Sequence, residues 1–174
     1  MSETRWLSGC EQEIWRAFMT AVDGLSDHFA RQLQRDSGMP YTYYEILVAL
    51  SEAPDRTLRM SDLAGVRGSS RSRLSHAVAR LEEVGWVIRR TCTTDKRGSF
   101  AVLTDKGFAA LEAAAPGHVT AVREKLFDVL TPEQVEQLGE ISRAILHGLD
   151  SPPSACTRPT TSGPRIERHR PVAG

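Results

Sequence analysis

The chain has only three cysteines, Cys10, Cys92 and Cys156. Scattered and odd in number, they exclude a disulfide framework. No C-x-x-C or H-x-x-x-H spacing occurs, so no structural zinc is expected. His76 and His118 have no second ligand placed by spacing. No apolar run approaches the roughly 18 residues that span a bilayer. The N-terminus also lacks a basic stretch followed by an apolar one. A cytoplasmic protein without a membrane partner is therefore expected. Serine, histidine and aspartate are present, but no G-x-S-x-G, phosphate loop or metal spacing supports catalysis. We expect no enzyme, no cofactor and no metal site. Net charge is missing too, with 22 basic and 22 acidic residues.

The zero balance hides a segregation of charge. Between residues 67 and 97 there are eight basic residues and three acidic ones, and eight minus three leaves +5 there and −5 elsewhere. A local surface for a polyanion on an acidic body is one reading. A solvated basic face is the other.

Apolar positions at Ile14, Phe18, Val22, Leu25, Phe29 and Leu33 step by three and four, which predicts a long amphipathic helix over 10–36. Ser37-Gly38-Met39-Pro40 ends it. Thr42-Tyr43-Tyr44-Glu45 has the pattern of a capping box, opening a helix to about Glu52 with Ile46, Leu47 and Leu50 inward. MSDLAGV is a short helix, and Arg67-Gly68-Ser69 a tight corner. Ser70 is placed to cap the next helix, striped by Leu74, Ala77, Val78 and Leu81, which Gly85 ends in the left-handed conformation.

The period then changes. VIRRTC and SFAVLT are two β-prone runs around the polar tip TTDKRG, a hairpin with glycine in its loop. Thr104 is placed to cap a helix striped by Phe108, Leu111, Ala115, Val119, Val122, Leu126 and Val129, which Pro116-Gly117 should kink or interrupt. Thr131-Pro132-Glu133-Gln134 starts a last helix, with Val135, Leu138, Ile141 and Ile145 as its apolar stripe. Five of the nine prolines fall after Ser151 with few large apolar side chains, so a disordered tail is expected.

Two short helices around a glycine corner, followed by a basic-tipped hairpin, make a helix-turn-helix with a wing. In such a module the second helix enters the DNA major groove. Burying Leu74, Val78 and Leu81 leaves Arg71, Ser72, Arg73, Ser75 and His76 on or near the open face. Arginine can pair bidentately with guanine, and serine can reach a phosphate or a base. Of Arg89 and Arg90 on the first wing strand, one is expected to face a phosphate and the other solvent. Arg80 is also suited to an ion pair with Glu83 or Asp62. The long terminal helices have nothing to bury against in so small a module, and a homodimer would cover them.

Over residues 10–148 the sequence resembles the MarR family of transcriptional regulators. The likeness is most specific over MSDLAGVRGSSRSRLSHAVARLEEVGWVIRRTCTTDKRGSFAVLTDKGFAAL, where L-A, S-x-S, R-L-E-E-x-G, D-x-R and L-T-x-x-G come in the family's order. The resemblance implies that the hairpin is the wing, that Arg97 at its tip reaches into the minor groove, and that Asp95 helps to hold it. A narrow minor groove attracts arginine by its negative potential. Lys96 replaces a more usual arginine, and Arg67 stands where a small or apolar turn residue is usual.

The same resemblance implies a cleft between the dimer helices and the DNA-binding lobe for a small aromatic or phenolic effector. Trp15, Phe18, His28, Tyr41, Tyr43 and Tyr44 are the residues offered for it, although aromatics at helical spacing also serve as plain core. Some relatives sense oxidants through cysteine, which makes Cys10 and Cys92 candidates if nearby cations lower a thiol pKa.

The expected architecture is mostly α with a small β-hairpin wing: an N-terminal dimerisation helix in 1–36, a winged helix-turn-helix DNA-binding domain over 37–104, C-terminal dimerisation helices over 105–150, and a disordered tail over 151–174. The expected function is that of a homodimeric, sequence-specific regulator, a repressor on a pseudo-palindromic operator in double-stranded DNA. The rivals are a winged-helix module that binds an acidic protein without operator specificity, and a cysteine-based redox sensor.

Overall fold

The structure is a computed structural model that describes residues 4–63, 71–91 and 99–150, leaving aside the side chains of Arg71, Thr91 and Asp150. The chain divides into two compact units, Met1–Leu130 and Thr131–Gly174. The tail expected from 151 onward lies outside the described residues.

In the first unit, α1 spans Gly9–Ser37. Ser8 caps it: the Ser8 hydroxyl accepts from the Glu11 N–H at 3.2 Å, and the Ser8 N–H donates to the Glu11 carboxylate at 2.7 Å. These bonds hold the Glu11 carboxyl below its ordinary pKa, the Ser8 backbone bond being the largest cause. At the other end Gly38 adopts φ 64°, a conformation that suits glycine.

Helix α2 covers Tyr41–Glu52. The expected capping box at Thr42 and Glu45 does not form. Pro40 is the cap residue, with φ −59° and no side-chain bond. Its carbonyl accepts from the Tyr43 N–H at 2.9 Å, so the rigid proline starts the helix before Thr42. A 3-10 turn, Pro54–Arg56, carries two successive left-handed residues, Asp55 and Arg56, each with φ 51°. Strand β1 (Thr57–Arg59) and the short α3 (Met60–Leu63) follow.

Helix α4 spans Arg71–Glu83, β2 spans Val87–Thr91 and β3 spans Ser99–Leu103. The hairpin has gained a third strand. The sheet order is β1-β3-β2, all antiparallel, and Ala101 faces Leu58 on one side and Arg89 on the other. Arg56 ties this region to α5: its guanidinium meets Asp105 at 3.1 Å and lies 3.8 Å over the Phe108 ring.

Helix α5 runs Asp105–Val122, straight through Pro116. The expected interruption at Pro116-Gly117 is absent. Packing supports the helix there: Ala114 and Ala121 are buried, and the Gln32 amide of α1 lies 3.1 Å from where a Gly117 Cβ would be. The break comes later, at a π-helical turn, Arg123–Phe127, closed by the Asp128 N–H donating to the Arg123 carbonyl at 2.8 Å.

Leu33, Met39, Leu47, Leu50, Leu63, Val78, Leu81 and Val87 are the fully buried centre of this unit. The first half of α1 stands apart from it, with Ile14 62%, Phe18 43% and Val22 40% exposed. Only Phe29 and Leu33 of its apolar stripe are buried.

The second unit is described as α6, Pro132–Asp150. Its expected cap forms: the Thr131 hydroxyl accepts from the Gln134 N–H at 3.3 Å, and the Gln134 side-chain oxygen accepts from the Thr131 N–H at 2.9 Å. Ile141, Ile145, Leu146 and Leu149 are exposed.

Candidate nucleic-acid interface

Helix α4 divides cleanly by face. Leu74, Ala77, Val78 and Leu81 are buried, while Ser72, Arg73, Ser75 and His76 are exposed. The expected stripe therefore turns a short run of cationic and hydroxylic side chains outward near the helix start. Ser70, and the tip residues Asp95, Lys96 and Arg97 with Cys92, lie outside the described residues. Arg71 opens the helix.

The base of the wing is held by local chemistry that accounts for the sequence motifs. Gly85 has φ 74° and its N–H donates to the Glu82 carbonyl at 2.9 Å, ending α4 in the left-handed turn glycine favours. Thr104, directly after β3, donates its hydroxyl proton to the Gly85 carbonyl at 2.8 Å and accepts from the Gly107 N–H at 3.0 Å. A Cβ at Gly107 would collide with the Trp86 carbonyl, so the L-T-x-x-G spacing records a strand packed tightly on a helix start.

The two wing arginines differ. Arg90 is exposed. Arg89 turns back on α4: its Nε meets the Glu82 carboxylate at 3.0 Å and its Nη2 donates to the Ser75 carbonyl at 2.8 Å. Arg80 pairs with Glu83 at 2.6 Å. The structure thus brings Arg89 directly against Ser75 and against a further partner, Glu82, to which the sequence pattern gave no role. A second addition is Arg59 on β1, exposed, with its guanidinium 5.0 Å over the Phe100 ring.

The six residues offered for an effector do not form one site. Trp15 and Phe18 are exposed on the uncovered half of α1, about 20 and 15 Å along the helix from His28 at about 1.5 Å per residue. Tyr43 is half-buried against the core. Tyr41 and Tyr44 do meet, around His118 of α5, with ring centroids 5.8 and 4.6 Å from it. Together with Glu45, Val48 and Glu52 they border a depression of about 400 Å³. Burial, and secondarily Tyr41, push the Tyr44 phenol above its ordinary pKa. His28 lies edge-on to Phe29 at 5.9 Å and borders a separate depression of about 490 Å³ with Arg31 and Lys125. Cys10 is exposed near the start of α1. Among the described residues no group of three or more metal-ligating side chains converges, and no helix is long and apolar enough to cross a membrane.

Comparison with known proteins agrees with this architecture. Residues 37–98 match the model of the MarR family. The DNA complex of Sco3205, a MarR family transcriptional regulator from Streptomyces coelicolor, shows 56% identity over 87% of this chain and 94% of its own, with a TM-score of 0.81. AbsC, a MarR family transcriptional regulator from the same organism, shows 40% identity over 84% and 98%, with a TM-score of 0.77. The HTH-type transcriptional repressor YetL of Bacillus subtilis (strain 168) is 32% identical over 107 residues, 60% of this chain and 64% of its own length. With a winged helix-turn-helix whose outward face is polar and a relative more than half identical over nearly its whole length, the chain belongs to the MarR family of DNA-binding transcriptional regulators.

Proposed function

We propose that the protein acts as a homodimer on a pseudo-palindromic operator, with α4 of each copy in the major groove. The observation that carries this reading is the exposed row Ser72, Arg73, Ser75 and His76, opposite a fully buried apolar stripe. Arg71 and Arg73 read bases, and Ser70, Ser72 and Ser75 reach phosphates or base edges. Arg90 and Lys96 meet phosphates. Arg97, held by Asp95, enters the minor groove beside the half-site. That Sco3205 was crystallised with DNA supports this use of the fold.

The exposed apolar residues of α1, and separately those of α6, support dimerisation, since exposed apolar side chains in such numbers on one helix suit an interface. Two copies place two recognition helices about one turn of DNA apart. Bound over a promoter, such a dimer represses by occupancy; that the relative YetL is a transcriptional repressor supports this sign of regulation. A small aromatic effector in the depression beside Tyr41, Tyr44 and His118 would release it. Such an effector shifts the dimer only by its differential affinity for the two arrangements.

The test is selection of bound duplexes from fragmented genomic DNA of the source organism, followed by anisotropy titration of the winner and of scrambled DNA at several salt concentrations. A palindromic winner preferred by at least about 4 kcal/mol is the expected result. Equal, salt-sensitive binding to both duplexes would leave only the phosphate contribution and favour an acidic protein partner instead.

A further inference from the structure

The wing and the recognition helix are two separate elements that must meet one duplex at once. Val87, at the start of β2, is fully buried, whereas Arg89, two residues on and so on the same face of the strand, has a side chain 33% exposed. Beside it lies a depression of about 310 Å³ bordered by Met60, Ser61, Leu74, Ser75, Arg89 and Ser99. Among the described residues that border it, Arg89 is the one that reaches from the wing strand back to α4.

The crossing uses one carboxylate twice. Strand β2 is at the edge of the sheet, so the N–H groups that point away from β3 have no ladder partner. That of Arg89 donates to Glu82 Oε1 at 3.1 Å, while the Arg89 Nε meets Glu82 Oε2 at 3.0 Å. The same guanidinium donates through Nη2 to the Ser75 carbonyl at 2.8 Å, using the lone pair a helical carbonyl keeps beyond its own ladder bond. Ser75 and Glu82 are seven residues apart, two turns of α4. The arginine side chain is thereby held along the helix at two points, and the backbone of its strand is tied to the same Glu82 at a third. The pair is 33% and 32% exposed, so solvent screens it less than an open surface pair.

We propose that Glu82 is a positioning residue for DNA binding, which, by clamping Arg89 to α4, sets the angle at which the wing approaches the duplex. The proposal rests on the DNA-binding reading above. It gives Arg89 a role different from a phosphate contact, since two of its donor groups and its backbone N–H are already committed within the protein.

Glu82 makes the test sharp because the two accounts differ in sign. A carboxylate beside a DNA-binding face repels phosphates, so Glu82→Gln should tighten operator binding if charge alone matters. The clamp requires the reverse: affinity falls on the order of fivefold, the size of a lost coupling between neighbouring groups. Arg89→Lys keeps the charge but not the fork, and is expected to fall by a similar factor. The double variant should be no weaker than either single one, because one contact is lost in all three.

Hydroxyl-radical footprinting of the selected operator separates positioning from general damage. Protection at the flanks reached by the wing should fade while protection under α4 persists. Unchanged or tighter binding by Glu82→Gln would overturn the proposal. If that variant does not fold, Arg89→Lys binding at wild-type affinity would overturn it equally. A wild-type protein that shows no operator preference would instead remove the DNA-binding reading itself.

Discussion

Helices α1 and α4 are both amphipathic, yet they finish their packing differently. In α4 the apolar stripe of Leu74, Val78 and Leu81 is sealed inside the chain's own core, and the polar face is left outward. In α1 the stripe begins with Ile14, Phe18 and Val22, all substantially exposed, and only its last turns, at Phe29 and Leu33, are sealed. A polar face that is backed by a rigid core suits a charged, hydrated partner such as DNA. An apolar face with nothing of its own unit behind it suits a second copy of the chain. On the proposed reading, the contrast matches two kinds of partner to two helices of similar periodicity.

The contrast can be broken first at its sealed end. Leu81→Ala should cost about 2–5 kcal/mol, the range for a buried leucine, and show as a lowered midpoint in chemical denaturation. Ile14→Asp with Phe18→Asp leaves that core untouched. It should instead shift sedimentation from dimer to monomer and reduce operator affinity, because one recognition helix alone contacts only a half-site. If the double variant sediments like the wild type, α1 does not supply the interface.

A smaller effect sharpens the picture of α1 itself. The Glu11 carboxyl is depressed by its bonds to Ser8, so the cap's contribution is complete above the unfolded pKa and lost as the pH falls through the lower folded value. Protection of the first-turn amides of α1, taken as observed exchange relative to the intrinsic rate at the same pH, should therefore fall on acidification below the ordinary carboxylate range. In Ser8→Ala that protection should be low at every pH.

Much of this was legible from local signals. The α4 stripe, Gly85 and Thr104 each act over a few residues, and their roles follow from backbone geometry alone. Thr42 misled because Pro40, two residues earlier, starts the helix without a side-chain cap. Pro116 does not interrupt α5, in a stretch where the neighbouring Gly117 lies close to Gln32 of α1, a contact between distant parts of the chain. Strand β1 is three residues long and exists only by pairing with β3, so nothing in Thr57–Arg59 announces it. The partners of Arg89 were hidden for the same reason: Glu82 and Ser75 reach it only when strand folds onto helix. His118 was weighed as an isolated histidine, while the structure sets its ring among Phe29, Tyr41 and Tyr44.

The central claim is that the outward face of α4 reads sequence and does not merely attract phosphate. Titration of Arg73→Ala against the selected operator and against scrambled DNA, at one fixed salt concentration, tests it most directly. Loss of about 1–3 kcal/mol on the operator, with a much smaller loss on scrambled DNA, is the result for a base-reading arginine. Equal losses on both duplexes would contradict the claim and make Arg73 a phosphate contact.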